Sequence, residues 1–263
     1  MQRRIGLAAL TVLELPPAEQ IAVAAEAGYD FVGLRLIPAT PQETVRPWHE
    51  PGFVGEIGRC LTDRGIPVLD IEVFRLDSAV DIAAFEPFIA AGALLGAKQM
   101  LVAGADPEER RLVENFGRLC DLAAGYGLSA NIEPMPWQAV NTVAQAKRVV
   151  EAAAKSNAAV LVDAIHFFRG KNALADLPHV KLNYLQLCDA PVAMPADMKE
   201  ILRQARTDRL MPGEGGFDLR GLLRAVAPDL PIGLEIPYAR PMPAPERAKR
   251  ALAATRELLT EIA

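Results

Sequence analysis

Short apolar runs rich in Val, Ile and Leu recur along the chain, and most are followed by a longer stretch whose apolar residues return every three or four positions. The first type predicts strands at Ile5–Leu10, Phe31–Leu36, Val68–Phe74, Gln99–Ala103, Ser129–Glu133, Ala159–Asp163, Asn183–Cys188 and Ile232–Ile236. The second predicts helices at Pro17–Ala27, Gly52–Arg64, Asp81–Leu95, Pro107–Tyr126, Thr142–Ala154, Ala196–Arg206 and Pro245–Ile262. A short helix is expected at Leu174–Leu177, and an extra one at Leu219–Val226. Gly65, Gly96 and Gly127 each follow a periodic stretch and precede an apolar run, the place of a left-handed helix cap.

Strand–helix alternation of this kind implies a parallel sheet, and eight units imply closure into a single (β/α)8 TIM barrel. An open doubly wound sheet is the competitor, but no Gly-x-Gly-x-x-Gly follows the first strand. No linker or break in composition interrupts residues 1–263, so one domain is expected.

A barrel of this type carries its chemistry at the C-terminal ends of its strands. Four polar residues fall there on successive units: Glu133 in Leu-Ser-Ala-Asn-Ile-Glu, Asp163 in Ala-Ala-Val-Leu-Val-Asp, Gln186 in Leu-Asn-Tyr-Leu-Gln and Glu235 in Leu-Pro-Ile-Gly-Leu-Glu. A lone carboxylate closing a buried strand is costly to desolvate, whereas several can offset the cost by sharing a divalent cation. Three carboxylates and an amide oxygen are a hard, oxygen-only set, suited to Mn²⁺ or Mg²⁺ rather than to zinc.

His166 stands three residues after Asp163, where a strand-end acid and an imidazole can share a site. Its titration range suits proton transfer, although a capping histidine on the following helix would have the same spacing. His49 and His179 have no such partners and are read as surface residues. Arg35, Arg75, Arg169 and Arg209 lie near the same strand ends and are candidates for holding a substrate carboxylate or phosphate. Each has surface ion pairing as its alternative. Trp137 either walls the pocket or packs beside it, and Pro212-Gly213-Glu214-Gly215-Gly216 reads as a turn shaping the mouth, not a phosphate loop.

Composition narrows the partners. A formal net charge of −5 argues against general nucleic-acid binding, and Arg247, Lys249 and Arg250 read as a solvated helix face. Cys60, Cys120 and Cys188 are odd in number and far apart, which suits a reducing cytoplasm. The basic start followed by Ile5–Leu13 imitates a signal peptide, yet no small-x-small site follows and Leu15-Pro16-Pro17 reads as a strand-to-helix loop. No apolar run reaches membrane-spanning length. The Ala-rich outer helices offer surfaces for a homo-oligomer.

At Ile-Glu-Pro around 133, Asp-x-x-His at 163–166 and Leu-Glu-Ile around 235, the chain resembles the xylose isomerase-like barrel superfamily of sugar-phosphate isomerases and epimerases. The resemblance implies a divalent metal held from four strands, with Glu133, Asp163 and Glu235 as ligands and the two glutamates doubling as acid and base. The superfamily's usual third ligand is histidine, and here it is Gln186. An amide at that position is similar to a lyase branch, the bacterial 3-dehydroshikimate dehydratases. Phe74-Arg75, Arg169-Gly170, Asp189-Ala190-Pro191 and Arg209-x-x-Pro212-Gly213 are similar to it as well, whereas Glu-Pro-Met-Pro-Trp-Gln around Glu133 departs from it. In that branch His166 would move protons and the arginines would bind the substrate's carboxylate and oxygens.

Both chemistries begin by removing a proton next to a carbonyl. The leading expectation is a metal-dependent isomerase or epimerase of a small sugar or polyhydroxy ketone. A dehydratase of the dehydroshikimate type is second, and a barrel that only binds a ligand is third. Phosphodiester cleavage would need a His-rich multi-metal site, which three histidines do not supply.

Overall fold

The computed structural model describes residues 3–170 and 172–262. Eight parallel strands, β1 (Ile5–Leu7), β2 (Phe31–Arg35), β3 (Val68–Leu76), β4 (Gln99–Gly104), β5 (Ser129–Glu133), β6 (Ala158–Asp163), β7 (Leu182–Leu187) and β8 (Ile232–Leu234), close in sequence order, with β8 pairing β1. Around them run α1 (Pro17–Ala27), α2 (Pro51–Arg64), α3 (Glu86–Leu94), α4 (Glu109–Gly125), α5 (Val143–Ala153), α6 (Ala164–Arg169), α7 (Met198–Thr207), α8 (Leu219–Arg224) and α9 (Ala244–Thr260). The expected TIM barrel is therefore realised.

Local sequence accounts for the element ends. Pro17 and Pro51 open α1 and α2, where the missing N–H costs nothing. Thr142 and Gln145 exchange hydrogen bonds across the first turn of α5 as a capping box. Gly65, Gly96 and Gly127 adopt left-handed φ values of 63°, 82° and 74°, as the stop signals require.

Inside the barrel, Phe31, Leu69, Leu101, Leu161 and Tyr184 form a compact plug, and a larger apolar layer packs the strands against the helices. Filling the interior this way makes the barrel a packed core rather than a pore. The plug forms a floor, and the polar strand ends sit above it. Gly33 helps: a Cβ there would lie 2.6 Å from Asp70 Oδ1, so a larger side chain would displace that buried acid.

Five expectations are corrected. The first strand stops at Leu7, and Ala9–Val12 form a 3-10 turn. The Thr11 hydroxyl replaces strand pairing, donating to the Leu234 carbonyl at 2.7 Å and accepting from Ile236 N–H at 2.8 Å. β8 consequently ends at Leu234, one residue before Glu235. Arg75 does not follow β3 but lies within it, registered against Ala103. The region between β6 and β7 holds a six-residue helix, α6, ahead of the short helix expected at Leu174–Leu177, which is a 3-10 helix over Leu174–His179. Arg247 is not solvated: it is buried on the inner side of α9, bonded to Glu14 and to the Met242 carbonyl. Lys249 and Arg250 are exposed as expected. The basic start falls partly outside the described residues, at Met1 and Gln2.

Candidate active site

Glu133 and Asp163 are the last residues of β5 and β6, Gln186 is the penultimate residue of β7, and Glu235 directly follows β8. All four are buried. Because the strands close in order, these ends converge on one side of the barrel mouth. Asp163 also caps α6, its Oδ1 accepting from Ile165 N–H at 2.8 Å, so the turn that follows carries His166 back toward the same point. Ligand atoms of Glu133, Asp163 and His166 lie within 4.8 Å of one another. His166, expected to face substrate, thus sits inside the acidic cluster, with Nε2 3.6 Å from Glu133 Oε1.

Arg209 occupies the position between the other two acids. Its Nη1 donates to Asp163 Oδ2 at 2.6 Å, and its Nη2 forms an ion pair with Glu235 Oε2 at 2.7 Å. Gln186 Nε2 donates to Glu235 Oε1 at 3.3 Å. Two buried acceptors, Glu133 Oε1 and Gln186 Oε1, have no hydrogen-bond partner among the described residues. Unpaired buried oxygens of this kind are costly, and a hard cation would satisfy both. Three carboxylates against one guanidinium leave two negative charges, the complement of a divalent ion. The donor set therefore fits a divalent cation, with the four strand-end residues and His166 at hand to hold it.

The electrostatics follow from this deficit. Burial, with the charges of Asp163 and Glu235, holds Glu133 well above the ordinary carboxylate range. Burial likewise raises Glu235 to about 7, against the opposing pull of Arg209. His166 is driven well below its ordinary value by burial and by Arg209, so its imidazole is neutral. Trp137 meets that ring edge-on, with centroids 4.9 Å apart, and fixes one face of it.

A cavity of about 420 Å³ opens onto Glu133, His166, Arg209 and Glu235. Leu10, Leu13, Ile37, Phe85, Met135 and Trp137 give it an apolar lining as well. Arg35 and Arg75 border it, but their commitments differ. Arg35 is tied to Glu72 and Glu43, each at 2.9 Å. Arg75 is half exposed and meets only Asp77, at 3.7 Å. Arg169 is not brought to the cavity. Its guanidinium is spent on the Pro191 carbonyl at 2.7 Å and Gln204 at 3.1 Å, stitching α6 to the segment after β7. Sequence reasoning missed Arg206, an exposed residue that lines the cavity and makes no side-chain hydrogen bond or ion pair among the described residues. The available signal was its place at the C-terminal end of α7, three residues before Arg209.

The model of the xylose isomerase-like TIM barrel matches residues 21–258. The chain belongs to that family. Over 143 residues, 52% of the chain, it is 32% identical to a 3-dehydroshikimate dehydratase of Pseudomonas aeruginosa, and a homologous dehydratase of Pseudomonas putida matches at 31% over 136 residues. The match covers 22% and 20% of those proteins, so the chain spans about a fifth of the length of the curated relatives it matches. Among solved structures, IOLI protein with a bound zinc atom superposes with a TM-score of 0.82 at 19% identity, covering 99% of both chains. D-allulose 3-epimerase from Methylomonas superposes at 0.73 and 17% identity, covering 98% of each. These structural likenesses concern the fold. No helix of the described residues is long and apolar enough to cross a membrane.

Proposed function

We propose that this protein is a metal-dependent lyase that dehydrates a small cyclic polyhydroxy keto acid, of the 3-dehydroshikimate type, with Mn²⁺ or Mg²⁺ held by Glu133, Asp163, Gln186 and Glu235. The observation that carries this reading is the unequal freedom of the two glutamates. An epimerase of this family needs a base on each face of the reacting carbon, yet Glu235 is clamped by Arg209 and Gln186. Only the Glu133–His166 pair meets the cavity with an unpartnered acceptor. Elimination needs one base and one returned proton, which a single neutral imidazole supplies. The half-chain similarity to two dehydratases supports the same choice.

His166 takes the proton from the carbon beside the carbonyl, and the carboxylate of Glu133, 3.6 Å away, stabilises the imidazolium that results. The electrons of the broken C–H bond form a C=C bond, the β C–O bond breaks, and His166 returns its proton to the departing hydroxyl as water. A divalent cation bound at the cluster supplies electrostatic stabilisation to negative charge growing on the carbonyl oxygen. Trp137 keeps the imidazole oriented, and the apolar lining excludes water and accepts a ring face. Arg75, paired with Asp77 at 3.7 Å, and the unpaired Arg206 are, among the described residues, the cations placed to hold the substrate's carboxylate.

The deciding experiment is incubation with 3-dehydroshikimate and Mn²⁺ or Mg²⁺, followed by absorbance in the near ultraviolet, where a dihydroxybenzoate product appears. The epimerase reading stays second because Glu133 and Glu235 both open into the cavity. Exchange of solvent deuterium into a ketohexose, with no ultraviolet product from the keto acid, would reverse the order.

A further inference from the structure

Arg209 was expected to bind substrate, but its bonds say otherwise. The guanidinium is buried, and Nε donates to the Ala205 carbonyl at 2.8 Å. Nη1 is shared between Asp163 Oδ2 and the Glu235 carbonyl, the latter at 3.1 Å, and Nη2 is held by Glu235 Oε2. Little of its donor capacity is left for a ligand. Its backbone is equally fixed: Arg209 N–H donates to the Pro237 carbonyl at 2.8 Å, and the next residue, Leu210, forms an antiparallel bridge with Asp189 just beyond β7. Asp189 in turn grips the amides of Gly213, Gly215 and Phe217, all within 3.1 Å. A side chain anchored at both ends of this segment cannot swing out to meet each substrate.

We infer that Arg209 is a positioning residue for the metal centre, a built-in counter-ion that holds one oxygen of Asp163 and one of Glu235 and so fixes the two carboxylates around the cation's place. The inference rests on reading the cluster as a metal centre, and it removes Arg209 from the substrate-binding set. The fork geometry matters. Asp163 Oδ2 and Glu235 Oε2 are taken by separate nitrogens of one rigid plane, which fixes the two carboxylates relative to each other. Arginine also cancels one of three negative charges, so the cluster can assemble before the ion arrives.

The test is Mn²⁺ binding by titration calorimetry on the wild type, R209M and R209K, with Mn²⁺ alone and no substrate. Groups that orient metal ligands cost about 10–100-fold in affinity when removed. R209M is expected to weaken Mn²⁺ by that factor. R209K, which keeps the charge but reaches one carboxylate at a time, is expected to fall between it and the wild type. Thermal melting gives the second readout: at one Mn²⁺ concentration the R209M midpoint is expected to rise by less than the wild type's, because the stabilisation a ligand confers follows its affinity. If R209M does not fold, R209K decides alone, and an affinity equal to that of the wild type overturns the inference. Equal affinity in folded R209M overturns it too. A wild type that binds no stoichiometric Mn²⁺ sinks the metal-centre reading itself, a distinct result from equal binding by wild type and variant.

Discussion

Two sets of buried carboxylates line the barrel, one on β3 and one from β5 to β8, and they are satisfied differently. On β3 each acid meets a donor from another strand, and one oxygen of Glu72 stays unpartnered. Glu72 pairs with Arg35 at 2.9 Å, and Asp70 accepts the Tyr184 hydroxyl at 2.9 Å. On the other side Asp163 and Glu235 share one guanidinium, Glu133 meets only the neutral ring of His166 among the described residues, and acceptors on Glu133 and Gln186 go unpartnered. Burial alone does not separate the two sets, since Glu72 and Glu133 are both almost wholly enclosed. The ratio of acids to donors does. Where it is one to one the acids are part of the scaffold, and where it is three to one the proposed cation would make up the balance.

The sharpest way to probe the second set is H166N. Loss of a positioned acid–base group costs about 10²–10⁴ in turnover. The proposed roles predict that loss in dehydration rate with Mn²⁺ affinity close to that of the wild type. If affinity falls in parallel, His166 is a ligand and the base must be sought elsewhere. Next comes D163A, which strands Arg209 beside Glu235. Removing one member of a buried pair costs about 3–5 kcal/mol, measurable by urea unfolding in EDTA. A cost below about 1 kcal/mol would mean that Glu235 alone satisfies Arg209.

The pH dependence of the metal-free protein tests the charge deficit. Glu235 is raised from 4.5 to about 7, so it favours the folded state while protonated. That contribution is complete below the unfolded value and is lost as pH rises through the folded one. Between about pH 4.5 and 7 stability in EDTA is expected to fall by about 3 kcal/mol on this account. Saturating Mn²⁺ should flatten the decline, and a flat profile in EDTA would contradict the deficit. The smallest effect is expected from E72Q on β3, where Mn²⁺ affinity should change by less than about threefold. A larger change would show that the two sets act as one.

Much of this arrangement was legible in the sequence. A parallel strand buried on both faces writes itself as an apolar run, so a polar residue closing such a run stands out, as Glu133, Asp163 and Gln186 do. Left-handed glycines mark their helix ends through backbone geometry alone. What stayed hidden depends on contacts between distant residues. Arg35, Arg169 and Arg209 look alike as letters, yet one is tied to two glutamates, one to backbone carbonyls and one to the cluster. No local signal distinguishes a bound arginine from an available one, and for Arg206 the sequence offered only its place at the end of α7. α6 escaped because Ala-Ile-His-Phe-Phe-Arg is mostly buried and has no polar stripe to reveal a helical period.

The Thr11 hydroxyl, shared between the Leu234 carbonyl and the Ile236 amide, bears on when the site comes into being. It ties the turn after β1 to the residues on either side of Glu235, across more than two hundred positions of chain. Contacts so remote in sequence form only after the cost of closing a long loop has been met. During synthesis Glu133 and Asp163 leave the ribosome well before Glu235 exists, and Arg209 precedes it as well. The acidic cluster is therefore completed by the same event that closes the barrel. A nascent chain has no finished cation site to fill, and the appearance of tight Mn²⁺ binding would time the closure of the fold.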